Sequence, residues 1–357
     1  MHLADYRFTC TMIPENNFEN WKWQQRNSFR NLSDLLCAFP ALPRINDYKL
    51  NNSHAMDEVL RNYPMSITPY YASLIKTFDK SDPIFNQILP TRFELIHKED
   101  ELNDPISDEN PKIGFKSVRG IIHRYPDRVL FSPTPICSIH CRYCFRKRLV
   151  GKGSYSLTNN EIAEAINYVS KHKNIREVIF TGGDPLSLSD DLLFDYLLNF
   201  SNISHIKTIR IHSRYPVGNP FRLTAKLLSK LKNISTPIWL VTHFNSHVEL
   251  TNTSMYYLNR FIENGIPVLN QSVLLKGVND TENRLKKLLL GLIENKIQPY
   301  YLHQADLVKG TSHLTVSTKK GLQLFKNIRG QIPGYAIPTY IWDRPGGIGK
   351  IPLSPEW

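Results

Sequence analysis

Only five cysteines occur among 357 residues, and three of them stand in one short run, CSIHCRYCFRKR, as Cys137, Cys141 and Cys144. Iron–sulfur clusters are ordinarily held by four cysteines, so a C-x3-C-x2-C loop that binds a cubane would leave its fourth iron open to an exogenous ligand. Zinc is an alternative, although structural zinc takes four protein ligands, usually as two spaced pairs. His140 could complete such a set, but only from inside the loop between two cysteines. Three unrelated thiols are the plain alternative.

Other candidates lie further along. Gly182 and Gly183, in FTGGDPL, carry no Cβ, which suits close backbone approach to a ligand and equally suits an ordinary tight turn. The segment IWDRPGGIGKIPL ends a glycine-rich loop at Lys350. A Walker phosphate loop would need Gly in place of Arg344 and Ser or Thr in place of Ile351, and Pro352 would spoil its helix. Two alternatives stand: a flexible basic tail, or a lysine on a pliable loop that forms a Schiff base with pyridoxal 5'-phosphate. Cys10 and Cys37 have no spaced partner and read as buried or indifferent thiols.

The elements that must position these groups change character along the chain. Residues 1–109 are rich in Asn, Trp, Tyr and Pro with helical spacings in pieces, Ser33 being a candidate N-cap; they read as a helical cap with no chemistry of its own. After the polar stretch HKEDELNDPISDENPK, residues 110–357 alternate six strand-like runs, beginning RVLFSP, REVIF and IKTIRI, with helical segments. Such alternation predicts βα units, a parallel sheet and, for six units, a partial (β/α)6 barrel of the α/β class. Chemistry in parallel barrels sits at the carboxyl ends of strands. Cys137, Gly182 to Asp184, Ser213 with Arg214, His243, Gln271 and Asp306 all fall there.

Composition narrows the function classes. The 41% hydrophobic content fits a globular chain, no run of 18 apolar residues predicts a membrane span, and the start MHLADYRFTCTMIPENN has no apolar signal core. Clustered cysteines without a disulfide framework predict a reducing, cytoplasmic compartment. The net charge of +12 is scattered along the chain, so a solvated surface is expected and no nucleic-acid partner.

HRYPDRVLF, CSIHCRYCFRKR, FTGGDPL, THFN, NQSVLLKGVND, PYYLHQADLVKG and DRPGGIGK resemble, in this order and spacing, the lysine 2,3-aminomutase family of radical S-adenosylmethionine enzymes. That resemblance implies a 4Fe-4S cluster on Cys137, Cys141 and Cys144, with S-adenosylmethionine on the open iron. Gly182, Gly183, Asp184, Ser213, Arg214, His243 and Gln271 would contact S-adenosylmethionine. It also implies pyridoxal phosphate on Lys350, with Arg124 and Tyr125 helping to hold it. Arg146 would bind the substrate carboxylate, and Asp306 with Asp343 the terminal ammonium of lysine. The tail and RYCFRKR are closer to the short branch that makes β-lysine for elongation factor P, whereas both aspartates are more typical of the long-chain branch. An electron donor such as flavodoxin or ferredoxin, and a homo-oligomer, are further implied. Rival functions are an aminomutase acting on arginine or glutamate, a radical tRNA-modifying enzyme, and a non-catalytic iron–sulfur or zinc protein.

Overall fold

The helices that separate the strands begin where the sequence supplies a hydroxyl. Thr158, Ser189, Thr224, Thr251, Thr281 and Ser317 each accept a hydrogen bond from a backbone N–H of the first turn they cap. Glu161 returns the bond to Thr158 and completes a capping box. The computed structural model describes residues 17–39, 53–107, 118–151, 156–344 and 349–355. The expected 109/110 boundary, Cys10 and residues 345–348 of the glycine-rich loop lie outside them.

Among the described residues nine strands form one sheet in sequence order. They are β1 (Ile121–Tyr125), β2 (Arg128–Thr134), β3 (Glu177–Gly182), β4 (Thr208–His212), β5 (Ile238–Thr242), β6 (Val268–Leu274), β7 (Gln298–Gln304), β8 (Thr339–Arg344) and β9 (Gly349–Pro352). Strands β2 to β8 run parallel, with β1 and β9 antiparallel at the two ends. The six anticipated strands are β2 to β7. The sheet exceeds that expectation by a seventh parallel strand and by a hairpin partner at each end, and curls into a nearly closed barrel.

Among the described residues five cap helices come first: α1 (Trp21–Arg26), α2 (Leu32–Ala38), α3 (Ser53–Asn62), α4 (Pro69–Ala72) and α5 (Pro83–Ile88). The outer layer follows as α6 (Asn159–Lys171), α7 (Asp190–Ser201), α8 (Tyr215–Gly218), α9 (Ala225–Lys232), α10 (Asn252–Glu263), α11 (Glu282–Glu294) and α12 (Thr318–Ile328). Asn31, not Ser33, caps α2, because its side chain accepts from Asp34 N and leaves Ser33 inside the helix.

Strand alternation decides which side chains meet the helices. Ile209 and Ile211 on β4, and Val178 and Phe180 on β3, are buried in the main core with Leu193, Leu197 and Phe200 of α7. Phe131, Phe180 and Phe200 pack edge to face with centroids 4.9–5.7 Å apart. The opposite parity faces the lumen. Laterally paired residues share a face, so the pairs Arg210↔Trp239, His212↔Val241, Gln271↔Tyr301, His303↔Ile341 and Asp343↔Lys350 are lumenal.

Candidate active site

The cysteine loop leaves β2 and is pinned by the cap. Gln25 Nε2 donates to the Cys137 carbonyl at 3.1 Å, His140 N to Ser66 O at 2.9 Å, and Arg142 N to Gln87 O at 2.8 Å. Arg142 and Lys147 both donate to the buried Glu94 carboxylate, at 2.5 and 2.8 Å. Burial alone would raise the Glu94 carboxyl, but Arg142 and Lys147 outweigh it and hold the group below its ordinary value. Lys147 is itself pushed down to about 8, chiefly by burial. The cap therefore holds the cysteine loop in place, a positioning role. The pattern hid this because Gln25, Gln87 and Glu94 act on residues far along the chain.

Burial pushes the Cys137 thiol well up and Cys144 up to about 11, with neighbouring cysteines adding to the effect. Such thiols keep their protons unless a metal displaces them. His140 Nδ1 donates to the Pro64 carbonyl at 2.9 Å, and burial holds its imidazole down at about 4. Among the described residues no three His, Cys, Asp or Glu side chains converge on one metal position.

Beside this loop, Gly183 lies so close to the chain's own backbone that a Cβ would stand 2.4 Å from Pro135 C and 2.6 Å from Ile136 N. The turn is locked by Gly183 N to Thr134 O and Asp184 N to Ile136 O, both 2.7 Å. Asp184 ties it to the end of β4, accepting from Arg214 N at 2.7 Å and from Leu186 N at 3.0 Å. Burial pushes its carboxyl up to about 6, against the hydrogen bond from Ser213. The Arg214 guanidinium donates to Cys141 Sγ at 2.5 Å, Glu249 Oε1 at 3.0 Å, Tyr71 OH at 3.0 Å and Gln87 Oε1 at 2.7 Å. Tyr71, Gln87 and Glu249 were not among the sequence-derived candidates. Each is an ordinary polar residue until the fold brings it to Arg214.

The lumen gathers a second set. His243 stacks on Tyr143 with centroids 5.7 Å apart. His212, His243 and His303 each carry a buried Nε2 with no hydrogen-bond partner. Burial depresses all three, His303 to about 3, with Lys350 contributing at His303 and His212. Lys350 stands across from Asp343 in the β8–β9 ladder, its Nζ 3.3 Å from Asp343 Oδ2. Arg124 Nη1 reaches Asp343 Oδ1 at 2.8 Å, and Lys350 N donates to Tyr125 OH at 3.1 Å. Arg124, Tyr125, Asp343 and Lys350 thus come together as one group. Asp306 follows β7 by two residues, Gln271 lies on β6, and Arg146 rests over the Phe145 ring at 4.7 Å. His212 and His303 were legible as lumenal ends of IKTIRIH and QPYYLHQ but were passed over.

A lysine beside an arginine, a tyrosine and unpartnered imidazoles fits an aldehyde cofactor bearing a phosphate, and the cysteine loop fits a cluster. No helix among the described residues is long and apolar enough to cross a membrane.

Family profiles agree with this division of the site. The Radical SAM superfamily profile matches residues 131–289, and the Lysine-2,3-aminomutase profile matches residues 325–357. The chain is 43% identical over 344 residues to L-lysine 2,3-aminomutase of Methanococcus maripaludis, covering 96% of this chain and 77% of that one. It is 37% identical to the L-lysine 2,3-aminomutase of Acetoanaerobium sticklandii, covering 100% and 83%. Glutamate 2,3-aminomutase of Clostridioides difficile is 34% identical, with 96% and 78% covered. S-adenosylmethionine and a 4Fe-4S cluster are the cofactors that go with the first profile. With near-full-length identity added to both profiles, the chain belongs to the lysine 2,3-aminomutase family of radical SAM enzymes, isomerases that move an amino group within their substrate.

Proposed function

We propose that this aminomutase converts L-α-lysine to β-lysine and that it uses pyridoxal phosphate bound at Lys350. The observation that carries the proposal is the group of Lys350, Asp343, Arg124 and Tyr125, gathered where β1 meets the β8–β9 hairpin. When bound, the cluster with S-adenosylmethionine supplies a hydrogen-abstracting radical, and pyridoxal phosphate supplies the carbonyl that carries the migrating nitrogen. Cys137, Cys141 and Cys144 hold the cluster. Gly182, Gly183, Asp184, Ser213, Arg214, His243 and Gln271 shape the S-adenosylmethionine side; Arg214 does so through Cys141. Lys350 offers its amine to the carbonyl, and Arg124 with Tyr125 orients the cofactor. Arg146 takes the substrate carboxylate, which a guanidinium can grip with two parallel bonds.

Asp306 and Asp343 favour lysine over glutamate. A cationic side chain enclosed in the lumen needs compensating charge, and two carboxylates at the ends of neighbouring strands provide it. Asp343 already serves Arg124 and Lys350, so it compensates the substrate only as Lys350 gives up its amine to the carbonyl. We further propose a donor of the flavodoxin or ferredoxin class, a cytoplasmic setting, a homo-oligomer and, from RYCFRKR, a product destined for elongation factor P.

The test is anaerobic incubation of the cluster- and pyridoxal-loaded protein with lysine, S-adenosylmethionine and reductant, followed by chromatography. β-Lysine is the expected product; conversion of glutamate in preference to lysine would refute the substrate, and no conversion with an intact cluster would refute the activity. Borohydride should fix pyridoxal phosphate to Lys350 in the wild type. Lys350→Ala should take no label and keep its iron, and label at another lysine would refute the pyridoxal assignment.

A further inference from the structure

Two histidines in the lumen have no task in the mechanism above. His212 is the last residue of β4 and His303 the penultimate residue of β7. By ladder parity both point inward, His212 sharing a face with Val241 and His303 with Ile341, one pleat from Asp343 and hence from Lys350. Their Nε2 atoms are shielded from solvent and without a partner. Shielded polar atoms of this kind are normally hydrogen-bonded, so two of them on the lumenal face of the sheet mark a place where a ligand supplies the bond.

We propose that His212 and His303 bind the edge of the pyridoxal ring, each giving a hydrogen bond from an uncharged imidazole to a polar substituent of the heterocycle while Lys350 engages its carbonyl. The chemistry of the walls favours this ligand. A pocket made only for an ammonium would offer carboxylates, and one made only for phosphate would offer cations. Uncharged imidazoles beside an amine, with the Tyr301 ring edge-on to His303 at 5.8 Å, suit a flat heteroaromatic ring. Burial, with Arg210 and Lys350 added at His212 and Lys350 at His303, keeps both imidazoles uncharged, so they present one donor and one acceptor each. His243, which follows β5 beside His212, is already stacked on Tyr143 of the cysteine loop.

The inference rests on the proposal that pyridoxal phosphate binds at Lys350, and the experiment separates the two. Protein with its cluster intact but freed of pyridoxal phosphate is titrated with that compound alone, and affinity is read from its visible absorption and from borohydride labelling of Lys350. His212→Leu and His303→Leu should each weaken pyridoxal phosphate binding by about tenfold, the scale of one lost hydrogen bond to a buried partner. His212→Gln and His303→Gln, which restore a donor, should recover part of the loss. Iron content and S-adenosylmethionine affinity should stay at wild-type values in the four variants at His212 and His303. If Lys350 is labelled with wild-type affinity and spectrum in all of those four, the inference is overturned while the pyridoxal site stands. A loss of S-adenosylmethionine affinity in place of pyridoxal affinity also overturns it. If a leucine variant does not fold, its glutamine counterpart decides: an absorption maximum and affinity equal to wild type refute the contact. Absence of label at Lys350 in the wild type refutes the pyridoxal assignment itself.

Discussion

Replacing Glu94 by Gln should both destabilise the protein and loosen its cysteine loop. The Glu94 carboxylate is fully buried and receives Arg142 through Nε at 3.0 Å and Nη2 at 2.5 Å, and Lys147 Nζ at 2.8 Å. Both donors are nearly as buried, at 2% and 4% side-chain exposure, so water cannot replace the lost charge. Breaking a buried ion pair by removing one partner costs about 3–5 kcal/mol, because an uncompensated charge is left behind. At roughly 2 °C per kcal/mol for a large chain, the melting midpoint should fall by roughly 6–10 °C. The two stranded cations flank Cys141 and Cys144, so reconstituted iron per chain should fall with stability. Glu94→Asp, which keeps the charge on a shorter stem, should lie between the two. Scanning calorimetry of the iron-free protein and iron assay after anaerobic reconstitution are the measurements. A Glu94→Gln protein that melts within about 1 kcal/mol of wild type and takes up the same iron would refute this account of the cap.

Three further outcomes are expected. Cys141→Ala should lose bound cluster and all turnover, since the loop offers three thiolates; retained iron and activity, with loss on changing Cys37 instead, would reassign the ligands. Asp343→Asn should cut lysine turnover by about tenfold or more while the iron content holds, because one of two carboxylates is gone; wild-type turnover in both Asp306→Asn and Asp343→Asn would move the ammonium pocket elsewhere. Acid should destabilise the ligand-free protein from below neutrality. His140 and His313 titrate at about 4 and His303 at about 3 when folded, against 6.5 when unfolded, so the unfolded chain binds more protons as pH falls below 6.5. Stability from these groups is full above pH 6.5 and declines toward pH 4 and then 3, by about 1.4 kcal/mol per unit for each group; a denaturant midpoint that is flat between pH 6.5 and 4.5 would contradict it.

Features written in contiguous residues were legible beforehand. The cysteine triplet and the glycine pair are local, and alternating apolar runs disclosed β2 to β7. What escaped depends on pairings across long sequence separations. Glu94 and Gln87 read as cap residues of no consequence, since nothing near them signals that Arg142 or Arg214 will arrive. Glu249 closes a capping box with Ser246, and its Oε1 also receives Arg214 and Tyr71 from elements far away in sequence. Strand β1 was hidden because IIHRY is short and charged, and β9 because it lies behind glycines and contains Pro352.

Of the three strands beyond the six expected, β1 and β9 are the ones that join the ends of the sheet, and their meeting bears on the chemistry. The ladder runs from β1 to β9 without returning to β1, so the first and last strands would present unpaired edges. They are bridged by side chains: Arg124 to Asp343, and Tyr125 OH to Lys350 N. Gly349 permits the second contact, since its φ of +101° excludes most side chains and a Cβ there would lie 2.8 Å from Tyr125 OH. The proposed amine-bearing residue therefore sits on the closure of the barrel rather than on one of its parallel strands. Its backbone is fixed by Tyr125, while its side chain, 31% exposed, is held by a partly screened pair with Asp343. A lysine that must release its partner when substrate arrives is well served by that division between a fixed backbone and a loosely held amine.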